Sequence, residues 1–210
     1  MYRVTRFSDD QLTRFAAAAA SREAFHVEPG LAGPVPKGFH PNPGSGEVGR
    51  GAADFERGKE AVRGWRMFPP WVLLWPRRAP IAVGEIAIAG MRVRGVWTAN
   101  ACRIVEVIDE PRRFGFVYAT CRGHSLEGAE RFLLELQPDG RVTFEIFSIS
   151  RPAGPLAWVA LPFVRRVQKR FAVDAIMSLR DAIAEDHRDV SRDRTARSDP
   201  GQPLTSGRDS

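Results

Sequence analysis

The sequence predicts an α+β fold: a curved antiparallel β-sheet packed on a long C-terminal amphipathic helix, with shorter helices near the N-terminus. Three observations predict it. From Trp71 to Ser150 the apolar residues alternate with a period of two and are punctuated by turn sequences. From Pro155 to His187 the period returns to that of a helix. Val164, Val167, Phe171, Ala175, Leu179 and Ile183 share one stripe, and Arg165, Arg166, Lys169, Arg170, Arg180 and Asp181 lie largely off it. At 210 residues the chain has the length of one domain with a sizeable core. A long amphipathic helix needs apolar surface to lie on, and one face of the meander supplies it. A helix laid on a curved sheet commonly leaves a cavity between them.

The elements follow in order. Ser8 caps a first helix that runs to about Ala20, and Gln11 completes a capping box. Leu12, Phe15 and Ala19 fall on one face of it. From Val27 to Gly51 proline and glycine are too dense for regular structure, so this stretch is expected to be a loop lying across the mouth of a cavity. A second helix is predicted from Ala52 to about Arg66, with Phe55, Gly58, Val62 and Trp65 inward and Phe68-Pro69-Pro70 ending it. Trp71, Leu73 and Trp75 share one side of a strand. Glu85–Asp109 reads as strands broken near Gly90 and Gly95, with further turns at Asp109–Arg113 and Gln137–Arg141. Pro162 suits the first turn of the last helix, with a separate helical turn near Pro155 before it. After about Val190 apolar residues almost vanish, so residues 191–210 are read as a disordered tail behind a single domain over 1–190.

Composition excludes several classes. The longest apolar-rich stretch, Met67–Trp75, is too short to span a bilayer and contains two prolines, and the N-terminal segment carries acids where a signal peptide has none. The expectation is a soluble, cytoplasmic protein. Cys102 and Cys121 are read as reduced core thiols. Four scattered His without Cys or acid clusters give no metal site, and no cofactor is expected. Gly49-Arg50-Gly51 lacks the third glycine and the βαβ setting of a dinucleotide fingerprint and reads as a turn into a helix. No Gly-x-Ser-x-Gly elbow is present. The net charge is +6, but 28 of the 31 basic residues are Arg interspersed with acids, which disfavours nucleic acid as the partner.

Alternation then places side chains. With a symmetric register the inner rungs are Phe116–Leu134–Phe144 and Tyr118–Phe132–Ile146, followed by Thr120–Glu130–Ser148. Glu130 thus stands at the end of an apolar face between two hydroxyls. Burial there raises its pKa unless a partner compensates, and Arg103 is preferred over Arg131 as that partner if Val105 and Val107 face inward. Glu130 is either a polar anchor for a ligand, a general acid/base, or a structural carboxylate that ties down the hairpin loop. His124, in the glycine-flanked loop Arg122–Gly128, is a second candidate. Ser125 and Glu127 beside it form no triad by adjacency, and Cys121 reads as a buried thiol.

Three quoted stretches carry a family resemblance: GRGAADFERGKEAVRGWRMF from Gly49, CRIVEVIDEPRRFGFVYATCRGHSLEGAERF from Cys102, and FSISRPAGPLAW with LPFVRRVQKRF from Phe147. Together they resemble the domain of unknown function 1990, over about Gly49–Leu179. This chain has Tyr118-Ala119-Thr120-Cys121 where the family tends to Tyr-Gly-Thr-Leu, and Ala129 before Glu130 where the family tends to paired acids. The family is similar in outline to helix-grip proteins of the START-like and birch-allergen superfamily, which implies a hydrophobic ligand enclosed between sheet and C-terminal helix.

The leading expectation is therefore a small-molecule-binding protein for an apolar or amphipathic ligand. Phe116, Tyr118, Phe132 and Phe144 are expected as the wall, and Thr120, Glu130 and Ser148, with Arg103 and His124, as the polar end. The alternatives are an enzyme on the same scaffold using Glu130 or His124 for acid/base work, and an interaction module docking an acidic partner or membrane surface through Arg165 and Arg166.

Overall fold

The computed structural model describes residues 1–93 and 95–197, and the alternating stretches form in it a nine-stranded, wholly antiparallel sheet. In chain order the elements are β1 (Tyr2–Arg3), α1 (Asp9–Ala20), β2 (His40–Arg50), α2 (Gly51–Arg63), β3 (Val72–Trp75), β4 (Ile86–Val93), β5 (Val96–Thr98), β6 (Asn100–Glu110), β7 (Arg113–Thr120), β8 (Leu126–Leu136), β9 (Arg141–Pro152) and α3 (Pro155–Arg197). Across the sheet the strands run β1-β5-β4-β6-β7-β8-β9-β2, with β3 paired to β4.

Local chemistry sets the helix starts. The Ser8 hydroxyl accepts from the Gln11 N–H while the Gln11 side chain accepts from the Ser8 N–H, so the expected capping box forms. At α2 the Arg50 N–H donates to the Asp54 carboxylate at 2.7 Å, which does the work of a cap. Trp65 follows the helix end with φ 57° and donates its indole N–H to the Ala79 carbonyl at 2.8 Å.

The core lies on the inner face, between the sheet and the pair α2 and α3. Phe132 stacks on Phe116 with centroids 4.9 Å apart, and Trp65 closes on Phe116 at 5.0 Å. The α3 stripe divides in two. Ala175, Leu179 and Ile183 are fully packed on this core, whereas Val164, Val167 and Phe171 keep part of their surface free. On the outer face, α1 covers β4 and β6 through Leu12, Ala19, Ile88 and Ala101.

Four expectations need correction. The Val27–Gly51 stretch is not all loop, because residues 40–50 form β2, paired with β9 along its length. As the last strand of the order β2 bonds only one neighbour, so Pro41 and Pro43 are tolerated there. Its glycines admit the helix. A Cβ on Gly44 would stand 2.8 Å from the Ala172 Cβ, and one on Gly46 2.9 Å from the Ile176 Cγ2. The remainder of the stretch does not cross a mouth. It covers the outer face, where Leu31 and Phe39 pack on Val117, Ala119, Ala129 and Ile149.

Second, β4 runs through Gly90 unbroken. The chain reverses only around Gly95, and Gly90 is where β4 passes so near the Thr98 carbonyl that a Cβ would lie 1.9 Å from its oxygen. Third, the β7–β8 register is shifted by two residues. The observed rungs are Phe114–Leu134–Phe144, Phe116–Phe132–Ile146 and Tyr118–Glu130–Ser148, because the hairpin turns about His124 and not Ser125. A shift of two preserves the faces. Fourth, α3 is one helix from Pro155, with Pro162 in its interior at the loss of one backbone bond. Its described residues run to Arg197, and residues 198–210 of the expected tail lie outside the described residues. Cys102 and Cys121 are both free, buried thiols, as expected.

Candidate functional site

Between the sheet and the first half of α3 lies a cavity of about 390 Å³. Its apolar walls come from Phe68 and Val72, from Met91 and Val93 on β4, and from Val164, Val167 and Phe171 on α3. Its polar groups concentrate on the central strands. Tyr118, Glu130 and Ser148 form one rung across β7, β8 and β9, with Thr120 beyond them and Cys102 alongside. Here the α3 stripe contributes Val164, Val167 and Phe171 to the lining, and these side chains keep part of their surface free.

The Tyr118 hydroxyl donates to the Glu130 carboxylate at 2.6 Å. Burial pushes the Glu130 pKa up to about 7, against a smaller downward pull from that hydrogen bond. Burial likewise raises Tyr118 well above the usual phenol range, with the adjacent Glu130 charge adding to it. Ser148, opposite Glu130, is 4% exposed, and its hydroxyl has no hydrogen-bond partner among the described residues. Thr120 accepts from the Gly128 N–H at 3.0 Å, and Gln168 of α3 donates to Ser150 at 3.1 Å.

At the hairpin end, His124 also lines the cavity. Its Nδ1 accepts the Leu126 N–H at 2.8 Å, which leaves Nε2 as the protonated nitrogen. Burial lowers its pKa to about 4, so the ring is neutral at physiological pH. Asn100 holds the loop by accepting from the Ser125 hydroxyl at 3.2 Å. A neutral imidazole, a carboxyl that titrates near 7, a phenol and a free hydroxyl can donate and accept protons at the cavity wall.

Of the residues expected at the site, Tyr118, Thr120, Glu130, Ser148 and His124 line the cavity. Phe116, Phe132 and Phe144 do not. They are fully buried in the core cluster beneath it, since α2 and Trp65 occupy the face that alternation left open. Arg103 is not the partner of Glu130. A bulge in β6 between Ile104 and Glu106 puts Ile104 and Val107 inward and Arg103 outward. There its guanidinium donates to the carbonyls of Ala20 at 2.7 Å and Arg22 at 3.0 Å, closing the end of α1. Arg131 also faces outward, bonded to Glu145 and the Gly30 carbonyl. The lining residues that alternation missed are Cys102, Asn100, Gln168 and the first half of the α3 stripe. The stripe itself was legible, but not that part of it faces a void.

The family model for Domain of unknown function (DUF1990) matches residues 20–178. The chain belongs to the DUF1990 family. The match begins well before Gly49, so β2 and the outer-face cover belong to the shared unit. A UPF0548 protein of Deinococcus radiodurans is 34% identical over 175 residues, which are 77% of this DUF1990 chain and 88% of that protein. One from Arabidopsis thaliana is 33% identical over 132 residues, 60% of this chain and 64% of that one. Among solved structures, TTHA0849 of Thermus thermophilus superposes with a TM-score of 0.51 at 10% identity, over 70% of this chain and 99% of that one. The Zhui aromatase/cyclase of Streptomyces sp. R1128 gives 0.49 at 15% identity, over 72% and 96%. The architecture is a helix-grip: a curled antiparallel half-barrel closed by a long C-terminal helix. No helix among the described residues is long and apolar enough to cross a membrane.

Proposed function

We propose that this DUF1990 protein holds one apolar or amphipathic small molecule in the sheet–helix cavity, with a neutral oxygen of the ligand against Tyr118, Glu130 and Ser148. The observation that carries this reading is the pairing of a roomy apolar cavity with a buried Ser148 hydroxyl that has no partner among the described residues. An unsatisfied buried hydroxyl costs about 1–3 kcal/mol. A ligand oxygen beside it offsets that cost, and below about pH 7 the Glu130 carboxyl supplies a further donor. The cavity volume of about 390 Å³ falls within the range of small-molecule sites. Native mass spectrometry of the purified protein, followed by organic extraction, tests the reading. One organic molecule bound per chain is the expected result.

A second reading, acid–base catalysis on the bound molecule, is favoured by the Glu130 carboxyl titrating at about 7 while bonded to Tyr118. On this reading Glu130→Gln keeps affinity for the extracted ligand and loses turnover by about 10²-fold or more. Equal turnover in the two proteins contradicts it.

A further inference from the structure

A second cleft, of about 540 Å³, adjoins the cavity and shares Val72, Met91, Val93, Phe163 and Val167 with it. Its character is different. Arg6, Arg92, Arg166 and Arg170 line it together with Trp71 and Trp97, and no acid lies in its lining among the described residues. These arginines come from the segment before α1, from β4 and from α3, so the fold assembles the cluster from distant parts of the chain. Arg170 stands 4.9 Å over the Trp71 ring and Arg6 stands 5.5 Å over the Trp97 ring. Asp174, beside the cleft, accepts from Arg170 at 3.1 Å and from the Trp71 indole at 2.8 Å, which fixes those two in place. Among the described residues, no ion pair links Arg6, Arg92 or Arg166 to a carboxylate, and all three are exposed.

We infer that this cleft takes the anionic headgroup, a carboxylate or a phosphate, of the molecule whose apolar part fills the main cavity. The inference rests on the cavity reading and adds the ligand's charge and direction. Guanidinium groups match the planar or tetrahedral oxygens of such anions with paired N–H donors. The opposite orientation is disfavoured by the inner end. An anion there would face Glu130 without a cation, since Arg103 lies on the other side of the sheet, bonded to the end of α1. The shared residues Met91, Val93 and Val167 border both compartments, so the surface between them is apolar. The ligand class is therefore an anionic amphiphile whose apolar part carries the neutral oxygen at its far end and enters with that end first.

The test uses the full chain and displacement of Nile red, a neutral apolar fluorophore, by dodecanol, dodecanoate and dodecyl phosphate at low salt. The wild type is compared with the double variant Arg92→Gln/Arg166→Gln. The expected result is that at least one anionic amphiphile binds about tenfold more tightly than dodecanol to the wild type, and that the double variant removes the preference while dodecanol affinity stays the same. The arm that shows the preference says whether the head is carboxylate or phosphate. Dodecanol binding as tightly as both anions, or the double variant weakening all three alike, overturns the inference and leaves the cavity reading standing. Failure of the wild type to bind Nile red and dodecanol overturns the cavity reading as well.

Discussion

Phe132→Ala lowers stability by about 3–5 kcal/mol, seen as a large fall in the urea midpoint with no change in the slope. The ring is fully buried and lies 4.9 Å from Phe116, 5.3 Å from Tyr118 and 5.8 Å from Phe68, with Phe171 edge-on at 6.3 Å. Removing it empties the centre of this aromatic cluster, and the strands on either side cannot close the gap. Val164→Ala is the control. Val164 borders the cavity, so its methyl groups have no partners on that side and their loss costs about 1 kcal/mol or less. If Phe132→Ala proved as mild as Val164→Ala, Phe132 would belong to the lining, and the boundary drawn here between core and cavity would be misplaced.

The pH dependence of stability supplies the second large effect, because Glu130 and His124 pull in opposite directions. The Glu130 pKa rises from 4.5 to about 7 on folding, so the folded state holds this proton more tightly. Its contribution is fully present below about pH 4.5 and is lost as pH rises through 7, on the order of 3 kcal/mol in all. The His124 pKa falls from 6.5 to about 4, so the folded state resists protonation. Its contribution is fully present above about pH 6.5 and is lost as pH falls through 4. Each slope is about 1.4 kcal/mol per pH unit. Between about pH 4.5 and 6.5 they cancel, and the wild type is nearly flat with respect to this pair. Glu130→Gln exposes the His124 slope, so its stability rises with pH across that window and exceeds the wild type at pH 8. His124→Asn, which keeps an acceptor near the Leu126 N–H, exposes the Glu130 slope and loses stability with rising pH. Urea titrations at half-unit pH steps check this. Parallel curves for the three proteins would contradict the burial assigned to both groups.

Periodicity carried much of this architecture. The C-terminal stripe and the alternation in β7, β8 and β9 placed Tyr118, Glu130 and Ser148 on one inward face, and a two-residue register shift left that face unchanged. A single-residue irregularity was more damaging. The bulge in β6 turned Arg103 away from Glu130, and no local signal in Ile104-Val105-Glu106 marks it. The β2 strand was hidden because its glycines answer to α3 and its prolines to an open sheet edge, both tertiary facts that composition alone reads as loop. The core phenylalanines were taken for a wall since a sequence shows which face is apolar but not whether another element fills it. The arginine cleft was invisible for a related reason. Arg6, Arg92 and Arg166 lie far apart in the chain, and only the fold gathers them.

The most direct measurement is the native mass of the protein purified from its host, wild type beside Val164→Trp. The added indole is expected to intrude into the cavity from the α3 side and narrow it, away from the Phe132 core. A small organic molecule bound to the wild type and absent from Val164→Trp, with both proteins folded, is the predicted result. A wild type that carries nothing, or a variant that carries the same molecule at the same occupancy, contradicts it.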